Sequence, residues 1–179
     1  MRGKVSGPTS AWQAERVPTH KSVRLEHRGG MAFHAEPSSG HPMDFDDRQS
    51  NTGASPVETV LSALASCSAM DVVGIMAKKR QDVIAYRILV TGVQRDEYPQ
   101  VYTEVVMTHE VDGRNLSEAA IRRAIELSAL KYCPVNAMIS AGATTVHHRY
   151  RIRSEGDEPY EHEGEVLSTG PYRRPDVFA

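Results

Sequence analysis

The stretch Ser55-Pro-Val-Glu-Thr-Val-Leu-Ser-Ala-Leu-Ala-Ser-Cys67-Ser-Ala-Met-Asp71-Val-Val-Gly-Ile-Met76 decides how the rest of the chain is read. Val57, Val60, Leu61, Leu64, Met70, Val72, Ile75 and Met76 recur at helical spacing and predict one long helix with a wide apolar face. Cys67 follows Leu64 by three and Val60 by seven, which places it on that face. The start is well marked. Ser55 stands at the N-cap, Pro56 takes the first helical position, and Glu58 falls where a capping box needs its acid. Lys78, Lys79 and Arg80 complement the dipole at the other end.

On the N-terminal side the pattern alternates. Val23, Leu25 and His27 precede Gly29-Gly30, and Met31, Phe33 and Ala35 follow, predicting two strands joined by a tight turn. Pro42 to Asp46 reads as a third strand. Residues 1–20, with Pro8, Pro18 and Trp12, read as a mobile arm or an extended segment anchored by the tryptophan; a disordered leader fits as well.

On the C-terminal side, Ile84–Gln94 and Val101–Val111 read as strands. A helix follows over roughly 117–131, capped by Asn115 or Ser117, with Ile121, Ala124, Ile125 and Ser128 facing inward. The chain breaks at Tyr132-Cys133-Pro134. A shorter helix runs from Pro134 to a Gly142 C-cap, and Thr144–Ile152 gives a last strand. The order is that of an α+β domain over 21–153, a mainly antiparallel sheet packed on helices. Beyond it, 154–179 carries Glu155, Asp157, Glu158, Glu161, Glu163 and Glu165 and reads as an acidic, flexible tail. Tyr172, Arg173 and Arg174 are candidate contacts in it, with a solvated tail the favoured account.

Composition excludes several classes. The 179 residues carry a net charge of -2, which gives no reason to expect nucleic acid or an acidic membrane as partner. No apolar run reaches the roughly 20 residues a membrane span needs, and the first 20 residues lack a signal core, so a cytoplasmic protein is expected. The 8 histidines show no ligand spacing on one helix, and His147 and His148 face opposite ways on a strand, so no metal site is expected. No phosphate loop or Ser-His-Asp signal is present.

Chemistry therefore rests on two cysteines, and in a cytosolic chain a bond between them is transient and redox-linked. Local sequence favours Cys133 as the activated thiol. It precedes a helix whose unpaired N–H groups would stabilise a thiolate, and Lys131 adds positive potential. Cys67 is mid-helix, and Asp71 one turn on would oppose its ionisation. The plain alternative is that both are small core residues.

Residues 55–152 resemble the OsmC/Ohr family, and most nearly its YhfA-like branch. The carrying motifs are Ser55-Pro-Val-Glu-Thr-Val-Leu with Ser66-Cys67-Ser-Ala-Met-Asp-Val-Val, and Ala129-Leu-Lys-Tyr-Cys133-Pro-Val. The resemblance implies an intertwined homodimer in which six-stranded sheets enclose the cysteine-bearing helices, with active sites at the interface. It implies a peroxidase for organic or inorganic hydroperoxides. Cys67 would be the peroxidatic cysteine, Cys133 the resolving one, and an external dithiol such as a dihydrolipoyl group the reductant, with no bound cofactor. In the family an arginine stabilises the thiolate and a glutamate after the helix-start proline orients it. Here that position is Val57. Glu58, one residue later, is turned away from the thiol side, since nine residues on an ideal helix is an offset of about 180°. Its capping role accounts for it, and a catalytic one is secondary. Arg28 is the first candidate for the arginine and Arg24 the second; both also read as solvated hairpin charges. A dimeric protein that takes a small apolar ligand, with little peroxidase turnover, is the alternative.

Overall fold

The computed structural model describes residues 20–168. The readings placed on Trp12 and on Tyr172, Arg173 and Arg174 lie outside the described residues. The chain divides into two compact units, Met1–Ser55 and Pro56–Ala179.

The first unit is a three-stranded antiparallel sheet, β1 (Val23–Gly29), β2 (Ala32–Pro37) and β3 (Met43–Phe45), in that order. The predicted turn forms at Gly29 and Gly30, whose φ values of 106° and 56° lie where a side chain would be strained. After β3, the Asp46 carboxylate accepts the backbone N–H groups of Asp47 and Thr52 and the Thr52 hydroxyl, closing the 46–52 loop.

The second unit opens with α1 (Pro56–Lys78), which begins at the predicted proline. β4 (Asp82–Gln94) and β5 (Tyr102–Arg114) form a long hairpin. Then come α2 (Glu118–Leu127), a π-helical turn (Ser128–Tyr132) and α3 (Pro134–Ser140), followed by β6 (Thr145–Glu155) and β7 (Tyr160–Ser168). The sheet order is β4-β5-β6-β7. The β5/β6 pair is parallel because the helical segment crosses over between them, and the other pairs are antiparallel. Among the described residues of one chain the strands thus make a three-stranded and a four-stranded sheet.

The core faces match the expected periodicities in part. α2 buries Ile121, Ala124 and Ile125, and Ser128 follows them inward, as the sequence predicts. Its N-cap is Ser117, which accepts from the Ala120 N–H at 3.3 Å. In α1 the buried stripe is narrower than predicted: Leu64, Ser68, Val72 and Met76, four residues apart each time. Met70 is 76% exposed, and Val57, Val60 and Val73 are exposed as well. With 23 residues, α1 is long and apolar enough to cross a membrane by length and composition, contrary to the sequence expectation. Here it packs on α2, β4 and α3. The C-cap of α3 is Ala141, not Gly142.

The largest correction concerns the acidic tail. Residues 160–168 form β7, paired along β6 with Arg149 opposite Glu165, Arg151 opposite Glu163 and Arg153 opposite Glu161. Each arginine meets its glutamate, at 3.2, 2.6 and 3.0 Å. The glutamates occupy one face of an alternating strand whose other face carries Tyr160, Gly164 and Val166. A charge run that alternates against an arginine run on the neighbouring strand is a sheet surface, not a disordered segment. The sheet therefore extends to Ser168.

Candidate thiol site

The site is assembled by three consecutive local devices. α1 presents Cys67, half-buried, beside the Leu64–Ser68 stripe. At the end of α2 the helix widens into the π-helical turn, so that the Cys133 N–H reaches back five residues to the Ser128 carbonyl at 3.0 Å. Pro134 at the first position of α3 stops that helix and starts the next. Cys133 becomes the N-cap of α3, its Sγ accepting the Asn136 N–H at 3.3 Å. The result is that Cys133 Sγ lies 2.8 Å from Cys67 Sγ, both as free thiols.

The two sulfurs differ in surroundings. Cys133 is 3% exposed and packs among Leu64, Val105, Met107 and Val146. Burial, and next the contact with Cys67, push its thiol well above the ordinary range, while the Asn136 N–H pulls the other way. This overturns the local ranking of Cys133 as the better-activated thiol. The helix N-terminus is present, but desolvation outweighs it. Lys131 lies over the Tyr132 ring at 5.4 Å.

Asp71 completes the site. Ser128 Oγ lies 3.1 Å from Asp71 Oδ2 and 3.1 Å from Ser68 Oγ. A hydroxyl has one proton, so Ser128 donates to Asp71 and accepts from Ser68. Burial raises the Asp71 carboxyl and the Ser128 bond partly offsets it. Donor atoms of Cys67, Asp71 and Cys133 lie within 4.8 Å of one another and are a group that could hold a metal ion. However, two thiolates on tetrahedral zinc, at about 2.3 Å each, stand about 3.8 Å apart. Sulfurs at 2.8 Å are placed for each other rather than for an ion.

The other predicted residues fall elsewhere. Glu58 is exposed in the first turn of α1, and the Val57 carbonyl accepts the Tyr102 hydroxyl at 3.1 Å. Arg28 and Arg24 belong to the first unit, and each pairs with Glu26 at 3.1 Å. Sequence reasoning missed Ser68, Ser128 and Asn136 as site residues. Ser128 was visible as a polar residue on an otherwise apolar helix face. Asn136 carried no signal beyond standing three residues after Cys133. A cleft of about 250 Å³ opens beside Cys133, lined also by Leu130, Tyr132, Pro134 and Met138.

Comparison with known proteins bears on the family and the fold. The family model described as OsmC-like protein matches residues 49–157. Protein YhfA of Escherichia coli strain K12 is 40% identical over 130 residues, covering 73% of this chain and 96% of its own. Among solved structures, a hypothetical protein from Aquifex aeolicus VF5 is 28% identical with a TM-score of 0.68, covering 78% of this chain and all of its own (100%). An organic hydroperoxide resistance protein OsmC from Legionella pneumophila shares the fold at 15% identity and a TM-score of 0.54, covering 76% of this chain and 98% of its own. A family match over more than half of the chain and a relative at 40% identity lead to one conclusion: the chain belongs to the OsmC-like family.

Proposed function

We propose that the protein is a thiol-dependent peroxidase that reduces organic or inorganic hydroperoxides through Cys67 and Cys133. The single observation that supports this is the approach of two free thiols, one half-buried and one buried, to 2.8 Å. In the proposed cycle the Cys67 sulfur attacks the outer peroxide oxygen. Thiol and hydroperoxide become sulfenic acid and alcohol. The Cys133 thiol then displaces water from the sulfenic acid and closes the disulfide, and an external dithiol such as a dihydrolipoyl group takes the oxidation on, restoring both thiols. The half-buried sulfur meets substrate and the buried one resolves, which suits the raised Cys133 thiol: it stays protonated and unreactive until the sulfenic acid forms beside it.

A homodimer with the site at its interface is part of the proposal. Exposed Val60, Met70 and Val73 on α1 and Ile84, Leu89 and Val93 on β4 are the apolar surface a second copy would cover. The cation for a Cys67 thiolate would come from elsewhere in that dimer, with Arg28 the first candidate and Arg24 the second.

The second reading is a dimeric protein that binds a small apolar ligand with little turnover. It is favoured by Val57 in the position of the family's glutamate and by the largely apolar cleft beside Cys133. One experiment separates the two. Reduced full-length protein is mixed with equimolar cumene hydroperoxide and free thiols are titrated. The peroxidase loses two thiols per chain within seconds to minutes, and Cys67→Ser loses none. Full retention of thiols over minutes in the parent chain refutes the peroxidase reading.

A further inference from the structure

Two histidines with no part in the thiol chemistry are sealed inside the sheet's inner face. His109 on β5 and His148 on β6 are both 0% exposed, and their rings stack with centroids 5.6 Å apart. They lie in a continuous series of hydrogen bonds. The Tyr86 hydroxyl meets His109 Nδ1 at 2.7 Å, His109 Nε2 meets His148 Nδ1 at 3.3 Å, and His148 Nε2 meets Asn136 Oδ1 at 3.1 Å. Asn136 Nδ2 donates to the Ala129 carbonyl at 2.7 Å.

The far end sets the direction of the whole series. A carbonyl only accepts, so Asn136 must turn its NH2 to Ala129 and its Oδ1 to His148. His148 therefore carries its proton on Nε2, leaving Nδ1 to accept. His109 must then donate from Nε2 and accept at Nδ1, and Tyr86 must donate. Burial holds both rings neutral: it pushes His109 down to about 3 and His148 to about 4. Reversing the sense would set the Asn136 oxygen against the Ala129 oxygen.

The series ends on the segment that carries Cys133. Asn136 grips the Ala129 carbonyl within the π-helical turn, and its own backbone N–H donates to Cys133 Sγ at 3.3 Å. The Ser140 hydroxyl donates to the Asn136 carbonyl at 2.8 Å. One residue, its side chain anchored to the sheet through His148, thus bonds on both sides of the cysteine through its amide and its backbone N–H.

We infer that Tyr86, His109, His148 and Asn136 form a one-directional hydrogen-bonded strut that holds Cys133 in line for Cys67, making them positioning residues for closure of the disulfide. The role in closure rests on the two-thiol reading above; the strut itself does not. It requires both rings in the Nε2–H tautomer. It also requires that loss of the strut lower the tendency of the two thiols to pair, without altering the attack of Cys67 on an outside reagent.

The test uses the reduced full-length chain. Nitrogen-15 spectra of the histidine rings should show His109 and His148 as Nε2–H, and an Nδ1–H form of either overturns the assignment. Equilibration with glutathione disulfide, which gives the protein disulfide and two glutathione thiols, reads the effective concentration of the pair without any peroxide. His148→Leu should lower that effective concentration about tenfold, the scale of one buried hydrogen-bonded link, while the alkylation rate of Cys67 stays within twofold. His148→Gln keeps an N–H donor for Asn136 and should recover most of the loss. A role in packing alone would be met better by Leu than by Gln, so the opposite ranking overturns the inference. Should His148→Leu not fold, Tyr86→Phe keeps the ring and removes only the first donor. It should leave the buried His109 Nδ1 acceptor without a donor and lower pairing about threefold; pairing unchanged in Tyr86→Phe overturns the strut. Failure of the peroxidase reading leaves the glutathione measurement intact, so the two are told apart.

Discussion

Cys133 Sγ lies 2.8 Å from Cys67 Sγ, although the residues are 66 positions apart in the chain. Closing a disulfide there would tie off a loop of that size in the unfolded chain. The loop-entropy relation gives a stabilisation of about 4 kcal/mol. Urea unfolding of the oxidised and the reduced protein should show the oxidised midpoint higher by that amount divided by the m-value. An oxidised form no more stable than the reduced one would mean that the backbone must distort to close the bond.

Asp71→Asn should stabilise the protein at neutral pH. Burial raises this carboxyl above its unfolded value, so at pH 7 the charged form is disfavoured in the folded state. Asparagine keeps an acceptor for Ser128 and carries no charge. The sign follows: the variant's advantage is full above the folded pKa and vanishes as pH falls through the unfolded value near 4. Thermal melts at pH 7 and pH 4 check it. A variant that melts lower than the parent at pH 7 would point to a cation paired with Asp71 in solution.

The buried histidines make the fold acid-sensitive. Their folded values, about 3 for His109 and about 4 for His148, lie below the unfolded value near 6.5. The unfolded chain therefore binds more protons below pH 6.5, and stability falls as pH drops, by up to about 1.4 kcal/mol per pH unit for each ring until its folded value is reached. Denaturant midpoints between pH 7 and pH 4 should trace this slope. His148→Leu should flatten it, whatever its cost at pH 7. An equal slope in that variant refutes the assignment.

Gly164→Ala tests how closely β7 is fitted to the sheet. A Cβ at Gly164 would collide with the Tyr150 hydroxyl and ring, and Tyr150 is held in place by its bond to Glu118 Oε1 at 2.6 Å. Overpacking of this kind costs about 1–3 kcal/mol. The chemical denaturation midpoint should fall accordingly. An unchanged midpoint would mean that β7 is loosely held and that the 154–179 segment behaves as the tail its composition suggests.

Much of the architecture could be read from local pattern. The start of α1 at Pro56 followed from its proline and apolar period, and the inner face of α2 followed from three- and four-residue spacing. β7 was misread because net acidity was weighed above alternation, while the arginines that neutralise it stand on another strand. The width of α1's apolar face was overestimated because periodicity records which residues are apolar, not which are covered.

The site divides along the same line. The two cysteines and their motifs were legible because they stand in recognisable local settings, a mid-helix position and a helix start. Local pattern was enough to show that two thiols and a helix N-terminus were available. It could not rank the thiols, since desolvation of Cys133 depends on Val105, Met107 and Val146, which arrive from distant strands. Nor could it assign the histidines, because a ring's tautomer is set by the atoms it meets. Only the tertiary structure brought Asn136 against His148 and gave that series one direction. Burial and hydrogen-bond sense are properties of neighbours in space, and the sequence of α1, for all its clear signal, does not carry them.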